Sequence, residues 1–60
     1  WNGMTLAINV ADEGSVDAVF RRAKHAGAAQ VAPPQPRAWG GYSAYIADSE
    51  DQRWEIAWAP

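Results

Sequence analysis

The chain has 60 residues, of which 48% are hydrophobic and 12% aromatic, a formal net charge of −2 and no cysteine. A domain of this length buries only about 60% of the surface that its unfolded chain exposes, so we expect one domain at most, covered in part by a partner module. The few basic residues form no stripe for phosphates, and no apolar run approaches the roughly 20 residues that span a bilayer. These features predict no nucleic-acid or membrane partner, and the lack of cysteine indicates the cytoplasm.

The first residues predict a strand. Residues 4–10 alternate between two faces, with Leu6, Ile8 and Val10 on one side and Thr5, Ala7 and Asn9 on the other. This period of two is typical of a half-buried strand, and the second face is the more polar. Because the chain begins with Trp1 rather than Met, we expect it to be a piece of a longer reading frame.

A helix is predicted over about 15–26. Residues 12–15 supply N-cap candidates, and apolar positions recur at helical spacing after them: Val16, Val19, Phe20, Ala23 and Ala26. Gly27 is well placed to end the helix. His25 lies about 180° from Val16 around the helix, so we expect it to face solvent and not to serve as a ligand.

Three further strands are predicted after the helix. Residues 28–32 form a short candidate strand, which we expect Pro33 and Pro34 to end because proline lacks a backbone donor. A loop over 33–40, tipped by Trp39, then leads to strands over 42–48 and 53–58, with a polar turn between them. The predicted order is strand, helix, strand, strand, strand.

The last strand carries an acid on the face that we expect to lie away from the core. Alternation places Trp54, Ile56 and Trp58 against the helix, and we expect Leu6, Ile8 and Val10 of the first strand to pack in the same core. It places Glu55 on the other face, with small neighbours that leave room for a ligand. Glu55 is then a metal ligand, a general base, a hydrogen-bond acceptor for a ligand, or a carboxylate that meets solvent. Tyr45 is predicted on the same face, as a ligand contact or a cross-strand aromatic contact.

Residues 39–48, Trp-Gly-Gly-Tyr-Ser-Ala-Tyr-Ile-Ala-Asp, and 54–60, Trp-Glu-Ile-Ala-Trp-Ala-Pro, resemble the vicinal oxygen chelate superfamily, which includes glyoxalase I, the bleomycin-resistance proteins and extradiol dioxygenases. The resemblance covers nearly the whole chain. It implies an α+β fold in which residues 1–60 form a single βαβββ module, with one helix packed on a curved four-stranded mixed sheet. It also implies that this C-terminal module is half of a paired domain, completed by a second module in the same chain or in a homodimer.

The resemblance places Glu55 at the last-strand glutamate that binds a divalent metal in catalytic members. The other ligand position falls on Thr5, where those members have histidine or glutamine, and a neutral hydroxyl seldom fixes zinc, nickel, iron or manganese. In the turn before the last strand, Ser49 stands where proline is usual and Asp51 where glycine is usual. We therefore expect a positive φ at Asp51 and a reshaped turn.

These residues support three hypotheses and leave open whether the protein is an enzyme. The first is a metal-free cavity for a small-molecule ligand, of the bleomycin-resistance kind, lined by Thr5, Asn9, Trp39, Tyr45 and Glu55. The second is a metal-dependent enzyme, a lactoylglutathione lyase-like lyase or a dioxygenase, with Glu55 as metal ligand and catalytic residue. The third is a fragment that only dimerises through its exposed face.

Overall fold

The computed structural model describes residues 3–60, and Trp1 and Asn2 lie outside the described residues. The predicted order of elements is confirmed. The elements are strand β1 (Thr5–Asn9), helix α1 (Glu13–His25), and strands β2 (Ala29–Pro36), β3 (Tyr42–Ala47) and β4 (Arg53–Trp58). The 13-residue helix α1 is much too short to cross a bilayer, and the described chain has no other segment that qualifies as a spanning helix.

The four strands form one mixed sheet with the order β1-β4-β3-β2. Strand β1 runs parallel to β4, and the β2/β3 and β3/β4 pairs are antiparallel. The chain therefore places its first strand beside its last, so residues from the two ends of the sequence become neighbours on the sheet. This arrangement confirms the predicted α+β class.

Helix α1 begins at Glu13 because Asp12 caps it. Asp12 is extended, and its carboxylate accepts a hydrogen bond of 2.7 Å from the backbone N–H of Ser15. This hydrogen bond lowers the pKa of Asp12. At the other end Gly27 has φ +103°, a left-handed conformation that glycine adopts without a steric penalty, as expected of the residue that ends the helix. The exposed His25 lies away from the core, as predicted.

The core lies between α1 and the centre of the sheet. Its buried members are Val16, Phe20, Ala44, Ile46 and Ile56, and Trp54 and Trp58 pack against them. The prediction that Leu6 and Ile8 of β1 also belong to this core is wrong, since they are 40% and 37% exposed. The reason is that α1 contacts β2, β3 and β4 and does not reach β1 at the sheet edge.

Strand β2 differs from the prediction that Pro33 and Pro34 end it. It continues through both prolines to Pro36, and the loop to β3 is correspondingly shorter. Proline is tolerated here because β2 is an edge strand, where a missing donor can face solvent. Its pairing with β3 also shifts register twice, around Ala32, and such irregularities accommodate residues that cannot donate.

The turn between β3 and β4 is organised by Asp48. Its carboxylate accepts hydrogen bonds from the backbone N–H groups of Glu50 and Gln52, at 2.9 and 3.0 Å, and from Nε1 of Trp54 at 3.1 Å. The Trp54 bond, followed by the backbone bonds, lowers the pKa of Asp48. Asp51 has φ +62°, as predicted for the position where relatives carry glycine.

Candidate functional site

Glu55 lies on the face of the sheet opposite to helix α1. Its neighbour Ile56 is fully buried in the helix-side core, and successive residues of a strand point to opposite faces. In register, Glu55 stands between Tyr45 on β3 and Ala7 on β1. This placement agrees with the alternation of β4 and leaves the carboxylate only partly covered by the module itself.

Tyr45 and Glu55 form a hydrogen-bonded pair across the two strands. The Tyr45 hydroxyl donates to Oε2 of Glu55 at 2.8 Å. The hydrogen bond raises the pKa of the Tyr45 hydroxyl above its ordinary value, partial burial and the negative charge of Glu55 act in the same direction, and Arg37 opposes them. The phenol therefore remains protonated at neutral pH and holds the carboxylate in one orientation.

Arg37, which the sequence analysis did not assign to the site, lies beside Tyr45. Its Nε donates to Oγ of Ser43 at 2.6 Å and its Nη2 donates to the Ser43 carbonyl at 3.2 Å. The guanidinium carbon lies 5.2 Å from the centre of the Tyr45 ring, within cation–π range. Arg37, Tyr45 and Glu55 thus form a continuous polar row, here called the Arg37–Glu55 row.

A local signal for Arg37 does exist in the sequence. Gly40 has φ +94°, and the loop closes through hydrogen bonds from the Arg37 N–H to the Gly41 carbonyl and from the Gly40 N–H to the Arg37 carbonyl. This tight turn returns Arg37 to the start of β3, beside Ser43. The pair Gly40-Gly41 after Pro36 could have predicted the turn, although not the side-chain contact.

The other residues predicted for the site lie at its margins. Thr5 and Asn9 are exposed and share the face of Glu55, but they pair with Arg53 and Ala57, two residues to either side of it. Trp39 is 55% exposed, and its ring lies against Gly41, where any side chain would overlap it. The structure brings together Tyr45 and Glu55, and leaves Thr5, Asn9 and Trp39 apart from that pair.

An apolar cavity of about 380 Å³ lies on the opposite, helix-covered side. It opens where α1 leaves β1 uncovered, and its walls include Ile8, Val19, Ala23, Ile46 and Trp54. Neither Tyr45 nor Glu55 lines this cavity, and on their side the single sheet layer supplies only one wall. The predicted ligand cavity therefore requires a second wall from outside the described residues.

Neither a family model nor a curated protein matches this sequence. Among solved structures, the chain is similar to a glyoxalase-related enzyme from Fulvimarina pelagi, with 36% identity and a TM-score of 0.94 over 98% of this chain and 42% of that one. It is also similar to TioX from Micromonospora sp. ML1, with 31% identity and a TM-score of 0.75 over 98% of this chain and 47% of that one. A glyoxalase/bleomycin resistance protein/dioxygenase from Nocardioides shares the fold, with 18% identity and a TM-score of 0.79 over 90% of this chain and 36% of that one.

These matches show the fold. The chain has the βαβββ fold found in proteins of the glyoxalase/bleomycin-resistance/dioxygenase superfamily. It spans less than half of the length of each of the three similar proteins. The remainder of each is long enough for a second module of this size.

The donors of this glyoxalase-like module do not by themselves fit a divalent metal. Within residues 3–60 no three His, Cys, Asp or Glu side chains come close enough together to hold one. Glu55 accepts a hydrogen bond from the Tyr45 hydroxyl, and Thr5, which offers only a neutral oxygen, lies two register positions away from Glu55. Imidazole and carboxylate donors from another module would have to complete any such centre.

Proposed function

We propose that this glyoxalase-like module forms one wall of a cavity that binds a small-molecule ligand without a metal. The observation that carries the proposal is the 2.8 Å hydrogen bond between Tyr45 and Glu55 on the face that the helix leaves uncovered. A carboxylate held in a fixed orientation by a neighbouring phenol is a prepared acceptor for a ligand donor. Thr5, Asn9 and Trp39 supply the margins of the same wall.

The chemistry of this wall suits an amphipathic ligand. Glu55 accepts hydrogen bonds, and the Tyr45 oxygen can still accept a hydrogen bond while its own O–H donates to Glu55. Beside Glu55 the same face carries two small apolar side chains, Ala7 on β1 and the buried Ala57 on β4. A ligand with an apolar body and one or two donors would complement both parts.

A second βαβββ module would supply the opposite wall, either in the same chain or from a second copy. Support comes from the three similar proteins, of which this chain spans less than half. It also comes from size, because a module of 60 residues leaves much apolar surface for a partner to cover. The absence of cysteine supports a cytoplasmic protein.

A metal-dependent lyase or dioxygenase is the alternative function. One observation favours it: the protein from Fulvimarina pelagi, 36% identical over this chain, is described as a glyoxalase-related enzyme. Zinc, nickel, iron or manganese would supply Lewis-acid polarisation of substrate oxygens, with Glu55 as one ligand. The Thr5 position weakens this alternative, because the remaining donors must then come from the other module.

The test is a ligand-observed NMR fragment screen on the full-length protein, with Glu55→Gln and Tyr45→Phe as variants and Glu50→Gln, on the exposed turn, as the control. Removing a hydrogen bond to a charged group should weaken binding of the hits about tenfold or more in both site variants and leave the control unchanged. Hits that bind all four proteins equally would refute the proposed site.

Metal analysis of the same preparations separates the two functions. Stoichiometric zinc, nickel, iron or manganese that Glu55→Gln loses and Glu50→Gln retains would replace the metal-free proposal by the metal-dependent one.

A further inference from the structure

Arg37 is a half-buried cation whose observed contacts are all with neutral groups. Its guanidinium touches the Ser43 hydroxyl, the Ser43 carbonyl and the face of the Tyr45 ring. Within residues 3–60 no carboxylate lies at ion-pair distance from it. A long arginine side chain usually extends its charged end into water. Removing that charge from water and placing it beside neutral groups costs free energy unless an anionic partner compensates.

The same contacts hold the guanidinium in a fixed position. Ser43 is fully buried, so its hydroxyl and carbonyl are rigid anchors, and the Tyr45 ring supports the guanidinium plane. Arginine has five N–H donors, and the two bonds to Ser43 use two of them, which leaves three. A guanidinium held through one edge presents its remaining donors as a fork that matches two anionic oxygens.

Arg37 and Glu55 both contact the Tyr45 side chain, at different places. Arg37 lies over the ring, and Glu55 accepts from the hydroxyl. The Arg37–Glu55 row therefore carries a positive charge beside the Tyr45 ring and a negative charge at the Tyr45 hydroxyl. A ligand lying along this row meets both charges.

We propose that Arg37 anchors an anionic group of the ligand, a carboxylate or a phosphate, while a hydrogen-bond donor of the same ligand faces Tyr45 and Glu55. This inference rests on the proposed ligand-binding function and names the chemistry of the ligand.

The test uses matched pairs of fragments with the full-length protein. Each pair consists of an aromatic carboxylic acid and its neutral primary amide, and binding is measured by NMR titration. The wild type should bind the acids about tenfold or more tightly than the amides, because only the acids pair with the guanidinium fork. Arg37→Gln should abolish this preference, and Arg21→Gln, which removes an exposed helix charge, should keep it.

A second variant and a second probe sharpen the result. Arg37→Lys keeps the charge and loses the fork, so it should retain only part of the preference for acids. Displacement of a bound acid by inorganic phosphate at millimolar concentration would assign a phosphate-bearing ligand, and displacement by acetate alone a carboxylate. Circular dichroism melts of the variants establish that each is folded.

Two negative results have different meanings. Acids and amides that bind the wild type equally, at a site sensitive to Tyr45→Phe, would overturn the role of Arg37 and leave the ligand-binding function intact. Failure of every member of the pairs and of the fragment library to bind would overturn both.

Discussion

At the scale of single residues, the two tyrosines of β3 report on opposite faces of the sheet. Tyr42 donates to Asp17 of α1 at 2.8 Å on the helix side, and Tyr45 donates to Glu55 at 2.8 Å on the other side. In each case the hydrogen bond to the carboxylate raises the pKa of the phenol above its ordinary value. The chain therefore contains a matched internal control for the Tyr45–Glu55 pair.

Replacing Glu55 by Gln should lower the pKa of Tyr45 towards the ordinary value near 10 and leave that of Tyr42 unchanged. A phenol with a raised folded-state pKa stabilises the fold fully below its unfolded pKa, and this stabilisation is lost as pH rises through the folded value. In Glu55→Gln the folded and unfolded pKa values of Tyr45 nearly coincide, so the loss of stability that Tyr45 causes in strong alkali should become smaller. An NMR titration of the tyrosine ring carbons measures both values, and equal shifts at Tyr42 and Tyr45 would contradict the pairing.

At the scale of elements, helix α1 is fixed to the sheet by a narrow contact. Only Val16 and Phe20 of the helix are buried, and they meet Ala44, Ile46 and Ile56. Since alanine supplies little apolar volume, much of the burial depends on the phenyl ring. A module with so small a core has little stability to lose.

Phe20→Ala should lower the free energy of unfolding by about 3–5 kcal/mol, because it removes the ring and leaves a cavity against the sheet. Val31→Ala, on the exposed edge strand β2, is the control and should change stability by about 0.5 kcal/mol or less. Urea unfolding of the full-length protein followed by circular dichroism measures both. A Phe20→Ala variant as stable as Val31→Ala would contradict this packing.

The elements show which features local sequence patterns can predict. Alternation placed Glu55 and Tyr45 on one face, and helical spacing identified Val16 and Phe20, because both patterns depend only on nearby residues. Leu6 and Ile8 were assigned to the core wrongly, since alternation defines two faces of a strand and does not say whether the helix reaches it. The contact of Arg37 with Ser43 and Tyr45 depends on a tight turn and on one side-chain rotamer. Neither strand alternation nor helical spacing predicts these.

At the scale of the whole molecule, both sides of the sheet are incompletely covered. Strand β1 is an edge strand with exposed apolar side chains on the helix side, namely Leu6 and Ile8, and Met4 just before it is 60% exposed. The Arg37–Glu55 row lies on the other side. Exposed edges and apolar patches of this kind mark interfaces. A second module could cover them, either from the same chain or from a second copy, and light scattering of the full-length protein distinguishes the two sources.

The central claim is that the face carrying Glu55 becomes a wall of a closed ligand cavity. A crystal structure of the full-length protein tests it most directly. Our account predicts a second βαβββ module opposite this face, with the Tyr45 ring and the Glu55 carboxylate lining an enclosed space between the two sheets. A structure in which Glu55 faces open solvent, or in which another element packs flat against it and leaves no space, would contradict the account.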